Sequence, residues 1–147
     1  MKNKIKIAVV GIGLMGNQHL KAIHLSKKAK LHSIVDINEN SRLHAKKFKV
    51  PFYKTSTDLL KNKKPDAVIV ATPNQFHEKH TISFLNAKIP VLLEKPISNN
   101  IQKAKKIINS AKKNKTYLLI GYHRRHNSIV TNVKKKIDSG KLGKIVA

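Results

Sequence analysis

The chain has 147 residues, of which 40% are hydrophobic and gathered in short blocks, so it reads as one packed domain and excludes a disordered polymer. It has no cysteine, which excludes disulfides and thiolate metal sites and suits a reducing cytoplasm. Thirty-one Lys and Arg against 7 Asp and Glu give a formal net charge of +24, yet Arg42, Arg124 and Arg125 are the only arginines and lysines run through every segment, which argues against a specific nucleic-acid surface.

Lys2, Lys4 and Lys6 precede the apolar stretch from Ile7 to Met15, but no small-x-small cleavage site follows and the run is too short to cross a bilayer. Neither a secretion signal nor a membrane partner is expected. Ile5 to Val10 is a continuous, largely β-branched run, the pattern of a strand covered on both faces in a parallel sheet. Helical periodicity follows from Leu14 to Leu25. A second strand spans Leu31 to Val35, and Asn38 is the expected cap of a helix through Leu43 to Phe48. Val50 to Tyr53 is a short third strand, Ser56 or Thr57 is expected to cap a brief helix reaching Leu60, and Lys61 to Pro65 is a turn. The alternation then repeats: strand Ala67 to Val70, helix Gln75 to Asn86, strand Pro90 to Leu93, and a helix from an Asn100 cap to about Lys113. Tyr117 to Gly121 is a further strand, Asn127 to Ser139 a further helix, and Gly140 its expected C-cap, after which Lys144 to Ala147 begins another apolar run. Repeated βα units predict a doubly wound parallel sheet of the Rossmann-like α/β class.

Gly11-Ile12-Gly13-Leu14-Met15-Gly16 matches G-x-G-x-x-G and lies where a strand gives way to a helix, the context that makes this short motif informative. Gly11 permits the tight turn, Gly13 lets main chain approach a pyrophosphate, and Gly16 lets the helix pack closely on the strand. Free N–H groups at the helix start, around Leu14 and Met15, and the positive end of the helix dipole then face the phosphates. Asp36 ends the second strand about 20 residues beyond Gly16, where a carboxylate accepts from ribose hydroxyls and favours NAD over NADP. A plainer role for Asp36 is to start the turn before Asn38. Arg42 offers two further possibilities, stacking on adenine or pairing with a 2′-phosphate, and the second keeps NADP as the lesser alternative.

Glu94-Lys95-Pro96 follows the Pro90 to Leu93 strand at the carboxyl edge of the sheet, where ligands bind in doubly wound folds. An X-Pro bond here is a candidate for the cis form, which turns the chain sharply. Thr72-Pro73-Asn74, with His77 one turn on, occupies the matching edge after the preceding strand. His77 and His80, like His123 and His126, are spaced i, i+3, but the H-E-x-x-H carboxylate pattern is missing and no metal site is expected.

Taken in order, Gly11 to Gly16, Asp36, Ala71-Thr72-Pro73-Asn74 with His77, Glu94-Lys95-Pro96 and Gly121-Tyr122-His123-Arg124-Arg125 resemble the amino-terminal domain of the glucose-fructose oxidoreductase / inositol dehydrogenase / MocA family. The resemblance implies NAD-dependent hydride transfer at a hydroxyl-bearing carbon of a sugar, polyol or nucleotide-sugar. It implies that Lys95 lies near the reacting carbon, that Glu94 touches the nicotinamide ribose, and that Thr72, Pro73, Asn74 and His77 line the nicotinamide side. A lysine amine there takes or relays the hydroxyl proton, a task that asks burial and the cationic nicotinamide to bring its pKa from about 10.4 towards roughly 7 to 8. The plainer reading of Lys95 is one more surface lysine in a lysine-rich chain. Tyr122 to Arg125 either face the cofactor or brace a second domain.

On this reading residues 1–122 form the dinucleotide-binding domain and 123–147 a connecting helix and the start of a second, α+β domain, before which the chain is truncated. Family members carry that domain as substrate wall and subunit interface, so a homo-oligomer is expected for a full-length parent, and turnover by this chain alone is doubtful. A stand-alone NAD-binding module and a basic nucleic-acid binder are the competing readings.

Overall fold

A computed structural model describes residues 4–144 and residue 146. In chain order the main elements are β1 (Ile5–Val10), α1 (Leu14–Leu25), β2 (Ala29–Val35), α2 (Arg42–Phe48), β3 (Phe52–Tyr53) and α3 (Ser56–Lys61), then β4 (Ala67–Val70), α4 (His77–Asn86), β5 (Val91–Leu93), α5 (Ile101–Lys113), β6 (Leu118–Ile120) and α6 (Ser128–Asp138). The six strands form one sheet in the order β3-β2-β1-β4-β5-β6, and every neighbouring pair is parallel. This is the doubly wound order of a Rossmann fold, with the chain leaving β1 towards one edge and β4 towards the other.

Alternation within the strands explains the layers. Ala8, Val10, Val68 and Val70 point into one core with Leu59, Phe84, Leu85 and Ile107 from α3, α4 and α5. Val9, Ile34 and Ile69 point the other way, onto Leu20, Ile23 and Ala45 of α1 and α2. Each such side chain contributes about 1.5–3 kcal/mol when fully buried, so the two cores hold the strand ends in place independently of the loops at the carboxyl edge. Beyond the strands the ladder continues: the Ala71, Glu94 and Gly121 N–H groups donate to the carbonyls of Val10, Val70 and Leu93 at 2.8, 2.9 and 2.8 Å. Three strand-end corners are thereby set along one edge of the sheet.

Several boundaries differ from the sequence reading. β2 begins at Ala29 rather than Leu31. β3 shortens to two residues and β5 starts at Val91, because Pro51 and Pro90 have no N–H to give the ladder and contribute only their carbonyls, to Ile34 and Val68. The cap of α3 is Thr55, not Ser56 or Thr57: its hydroxyl accepts from the Asp58 N–H, and Asp58 accepts in return from the Thr55 hydroxyl. Asn38 caps a single 3-10 turn, Glu39–Ser41, that leads into α2, and Asn74–Phe76 forms a similar turn before α4. Asn100 and Asn127 cap α5 and α6, and Gly140 closes α6 with φ +70°. The apolar run from Lys144 to Ala147 falls largely outside the described residues. Among the described residues no helix is long and apolar enough to cross a membrane.

Candidate active site

The switch point of the sheet lies between the carboxyl ends of β1 and β4, and the glycine loop fills it. Gly11 has φ +87°, and a Cβ there would stand 2.8 Å from the Thr72 nitrogen and 2.9 Å from the Ala71 carbonyl carbon. Only glycine permits both the dihedral and the approach to the end of β4. A Cβ on Gly16 would run into the Gly11 carbonyl oxygen, so the first turn of α1 rests directly on the loop. Gly13 differs from both, since a Cβ there meets nothing within 4 Å. No side chain caps α1, and its first main-chain bond runs from the Asn17 N–H to the Gly13 carbonyl. The N–H groups of Leu14, Met15 and Gly16 therefore point out of the helix end over open space, the arrangement that suits a pyrophosphate.

Asp36 starts the turn before Asn38 and also makes two contacts that the sequence reading did not foresee. Its Oδ1 accepts from the Asn38 N–H at 2.8 Å and so starts the turn, while Oδ2 accepts from the Ile12 N–H at 2.6 Å and the Ser41 hydroxyl at 3.1 Å. A half-buried carboxylate thus holds the glycine loop from the end of β2, with acceptor capacity left on Oδ1 for a further donor. Arg42 is already engaged: Nε donates to Glu39 at 3.0 Å and the guanidinium lies 4.6 Å over the Phe52 ring. Glu39 also meets the Lys54 ammonium at 2.7 Å, and Lys54, then Arg42, holds its carboxyl below the usual range. Lys54 and Arg42 thus offset Glu39, and Asp36 forms no ion pair among the described residues, so its carboxylate is the charge here that disfavours a 2′-phosphate.

At the end of β4, Pro73 and Asn74 are exposed, and the Thr72 hydroxyl oxygen is buried with no hydrogen-bond partner among the described residues. His77 corrects the sequence reading. It is only 1% exposed, with Nδ1 2.9 Å from the Pro96 carbonyl oxygen and Nε2 2.9 Å from that of Thr72, so its ring does not line a ligand surface but packs between two corners of the crevice, with the tautomer deciding which carbonyl accepts its N–H. His80 turns elsewhere, with Nδ1 2.7 Å from the Ser56 hydroxyl; burial first, then Lys79 and His77, pushes its pKa down. The i, i+3 spacing of these two histidines therefore brings no common ligand position, and no group of three His, Cys, Asp or Glu able to hold a metal occurs among the described residues.

At the end of β5 the Lys95–Pro96 bond is cis. The Lys95 side chain is exposed, so the burial expected to tune its amine is not supplied by the described residues. Glu94 is 5% exposed and its carboxylate has two donors: the His19 ring, with Nε2 2.7 Å from Oε1, and the Lys95 N–H, 3.2 Å from Oε2. Gly121, at the end of β6, leaves room for it, since a Cβ there would lie 3.1 Å from the carboxylate carbon and both oxygens. Sequence reasoning did not single out His19, and it placed Gly121 only within a motif; a helical histidine and a strand-end glycine carry no local sign that they meet a carboxylate. Tyr122, Arg124 and Arg125 are exposed around a 3-10 turn, His123–His126, beyond β6.

Thus open space over Gly13, the Asp36 carboxylate and two polar corners lie along one edge, which fits a dinucleotide. A family model described as oxidoreductase family, NAD-binding Rossmann fold, matches residues 5–122. The chain is 30% identical to the myo-inositol 2-dehydrogenase of Thermotoga maritima over 95% of its own length and 42% of that protein's. Among solved structures it is similar to scyllo-inositol dehydrogenase from Lactobacillus casei with bound NAD(H) and scyllo-inositol, with a TM-score of 0.91 at 27% identity, covering 97% of this chain and 43% of that one. It is also similar to the WlbA dehydrogenase from Bordetella pertussis in complex with NADH and UDP-GlcNAcA, with a TM-score of 0.91 at 26% identity, covering 97% and 44%. The chain spans less than half the length of the relatives it matches.

Proposed function

The chain belongs to the glucose-fructose oxidoreductase / inositol dehydrogenase / MocA family, and from that premise we propose that it binds NAD at the β1–β4 switch point for hydride transfer at a hydroxyl-bearing carbon. The observation that carries this reading is the glycine loop held by Asp36, with open space over Gly13 and uncapped N–H groups beside it. In this arrangement the N–H groups of Leu14, Met15 and Gly16 bind the pyrophosphate, and the free lone pair on Oδ1 of Asp36 takes an adenosine ribose hydroxyl. Arg42, paired with Glu39, keeps the wall beside that ribose in place.

Bound NAD supplies the hydride acceptor. Thr72, Pro73 and Asn74 form the wall on the nicotinamide side, and the buried His77 ring lies behind it, between the Thr72 carbonyl and the Glu-Lys-Pro corner. Glu94 faces the nicotinamide ribose. The Lys95 Nζ takes the substrate's hydroxyl proton as the carbonyl forms. The substrate class is a sugar, polyol or nucleotide-sugar, supported by the inositol and UDP-sugar carried by the similar structures. Residues 1–122 form the dinucleotide-binding domain, and 123–147 connect to a second domain and an oligomer of the whole protein in the cytoplasm; nearly every described residue past Gly121 is exposed, which supports the division. A non-catalytic NAD-binding module is the second reading, favoured by the exposure of Lys95.

Nicotinamide fluorescence separates the cofactors. The chain is expected to bind NADH at least about tenfold more tightly than NADPH, because the Asp36 carboxylate repels a 2′-phosphate, and Asp36→Ala is expected to weaken NADH by about tenfold. Equal affinities for the two cofactors would contradict the NAD assignment.

A further inference from the structure

The His19–Glu94 contact lies outside every role assigned above. It joins residues 75 apart in sequence, one on the helix that opens at the glycine loop and one at the corner after β5, through a 2.7 Å contact between Nε2 and Oε1. The Glu94 carboxylate is nearly buried, which is unfavourable unless its oxygens are met by donors. Its second oxygen accepts from the Lys95 N–H at 3.2 Å, and Gly121 bounds it on a third side with no side chain of its own. The carboxylate is therefore held from three elements, α1, the β5 corner and the end of β6. About four lone-pair sites on a carboxylate, with two in use here, leave acceptor capacity for a vicinal diol.

We propose that His19 is a positioning residue that orients Glu94 towards the nicotinamide ribose, so that α1 serves both ends of the dinucleotide. Its first turn presents N–H groups to the pyrophosphate, and one turn further on its His19 ring sets the carboxylate that receives the ribose hydroxyls. Without the ring, Glu94 loses its closest donor and the direction of its free lone pairs, while the Asp36 side of the crevice, built from β2 and the glycine loop, is untouched. The proposal rests on the NAD reading above.

Affinities for NADH and for ADP, which lacks the nicotinamide riboside, test it on the full chain. His19→Ala is expected to weaken NADH by about tenfold and leave ADP within about twofold, Glu94→Gln to do the same, and His19→Gln, whose amide donates from a similar distance, to recover most of the loss. Equal loss of NADH and ADP would reduce His19 to a fold-maintaining residue and overturn the inference, as would unchanged NADH binding by His19→Ala. Should His19→Ala not fold, Glu94→Gln and His19→Gln decide: Glu94→Gln binding NADH like the unaltered chain, or His19→Gln losing NADH and ADP alike, would overturn it. Failure of the unaltered chain to bind NADH would instead remove the cofactor reading itself, and the inference with it.

Discussion

In a fusion of this chain with the remaining part of an inositol dehydrogenase relative, Lys95→Ala is expected to lower kcat for NAD reduction with myo-inositol by about a hundred- to ten-thousandfold, the usual contribution of a positioned acid–base group. Lys95 is exposed in the chain by itself, yet its N–H is fixed to the Glu94 carboxylate, and the carbonyl of the following Pro96 faces His77. The main chain is thus set from both sides while the amine stays free to meet a substrate. Lys95→Arg sharpens the test. It keeps the positive charge and the stem, but a guanidinium does not give up its proton at neutral pH, so activity is expected to stay low. Cofactor affinity is expected to change little in either variant. A fusion in which Lys95→Ala matches the parent in kcat would remove Lys95 from the chemistry.

The second large effect concerns the fold of the loop. Gly16→Ala places a Cβ against the Gly11 carbonyl oxygen, with the Gly11 carbonyl carbon only 2.9 Å away, and both are main-chain atoms that move only if the loop moves. Such overpacking costs about 3 kcal/mol, and the better helix propensity of alanine returns about 1 kcal/mol, leaving a net loss of about 2 kcal/mol. For a domain of this size that lowers Tm by about 5 °C. NADH binding is expected to fall further than stability, since the displaced helix start is the phosphate site. Thermal unfolding followed by circular dichroism checks the first part; a Tm equal to that of the parent would mean that the approach of α1 to the loop is looser than the glycine implies.

The β-branched run of β1, the glycine spacing and the strict βα alternation made the sheet and its class legible, because those features are local and each is tied to one period of the chain. Asn100 and Gly140 were legible for the same reason, as caps with a defined place in a helix. The contacts that complete the site were not. Asp36 showed its place but not that it holds Ile12 and Ser41, and His19 meets Glu94 only because two distant elements end at the same edge. The family resemblance implies a His77 on the nicotinamide side, but in this fold the ring turns inward, between two carbonyls. Proline explains the short β3 and β5, a backbone effect that a pattern of apolar residues does not display.

A pyrophosphate lying on the open ground over Gly13 would be displaced by any side chain there, and a paired titration with NADH reads this out. Gly13 has ordinary dihedrals, φ −74° and ψ −159°, and a Cβ there meets no atom within 4 Å, so Gly13→Val is expected to cost about 1 kcal/mol or less, a cap effect only. The parent chain should enhance NADH fluorescence with saturation below millimolar concentration, and folded Gly13→Val should bind at least about a hundredfold more weakly, because its side chain fills the approach to the N–H groups. No binding by the parent at millimolar NADH, or equal binding by folded Gly13→Val, would contradict the account.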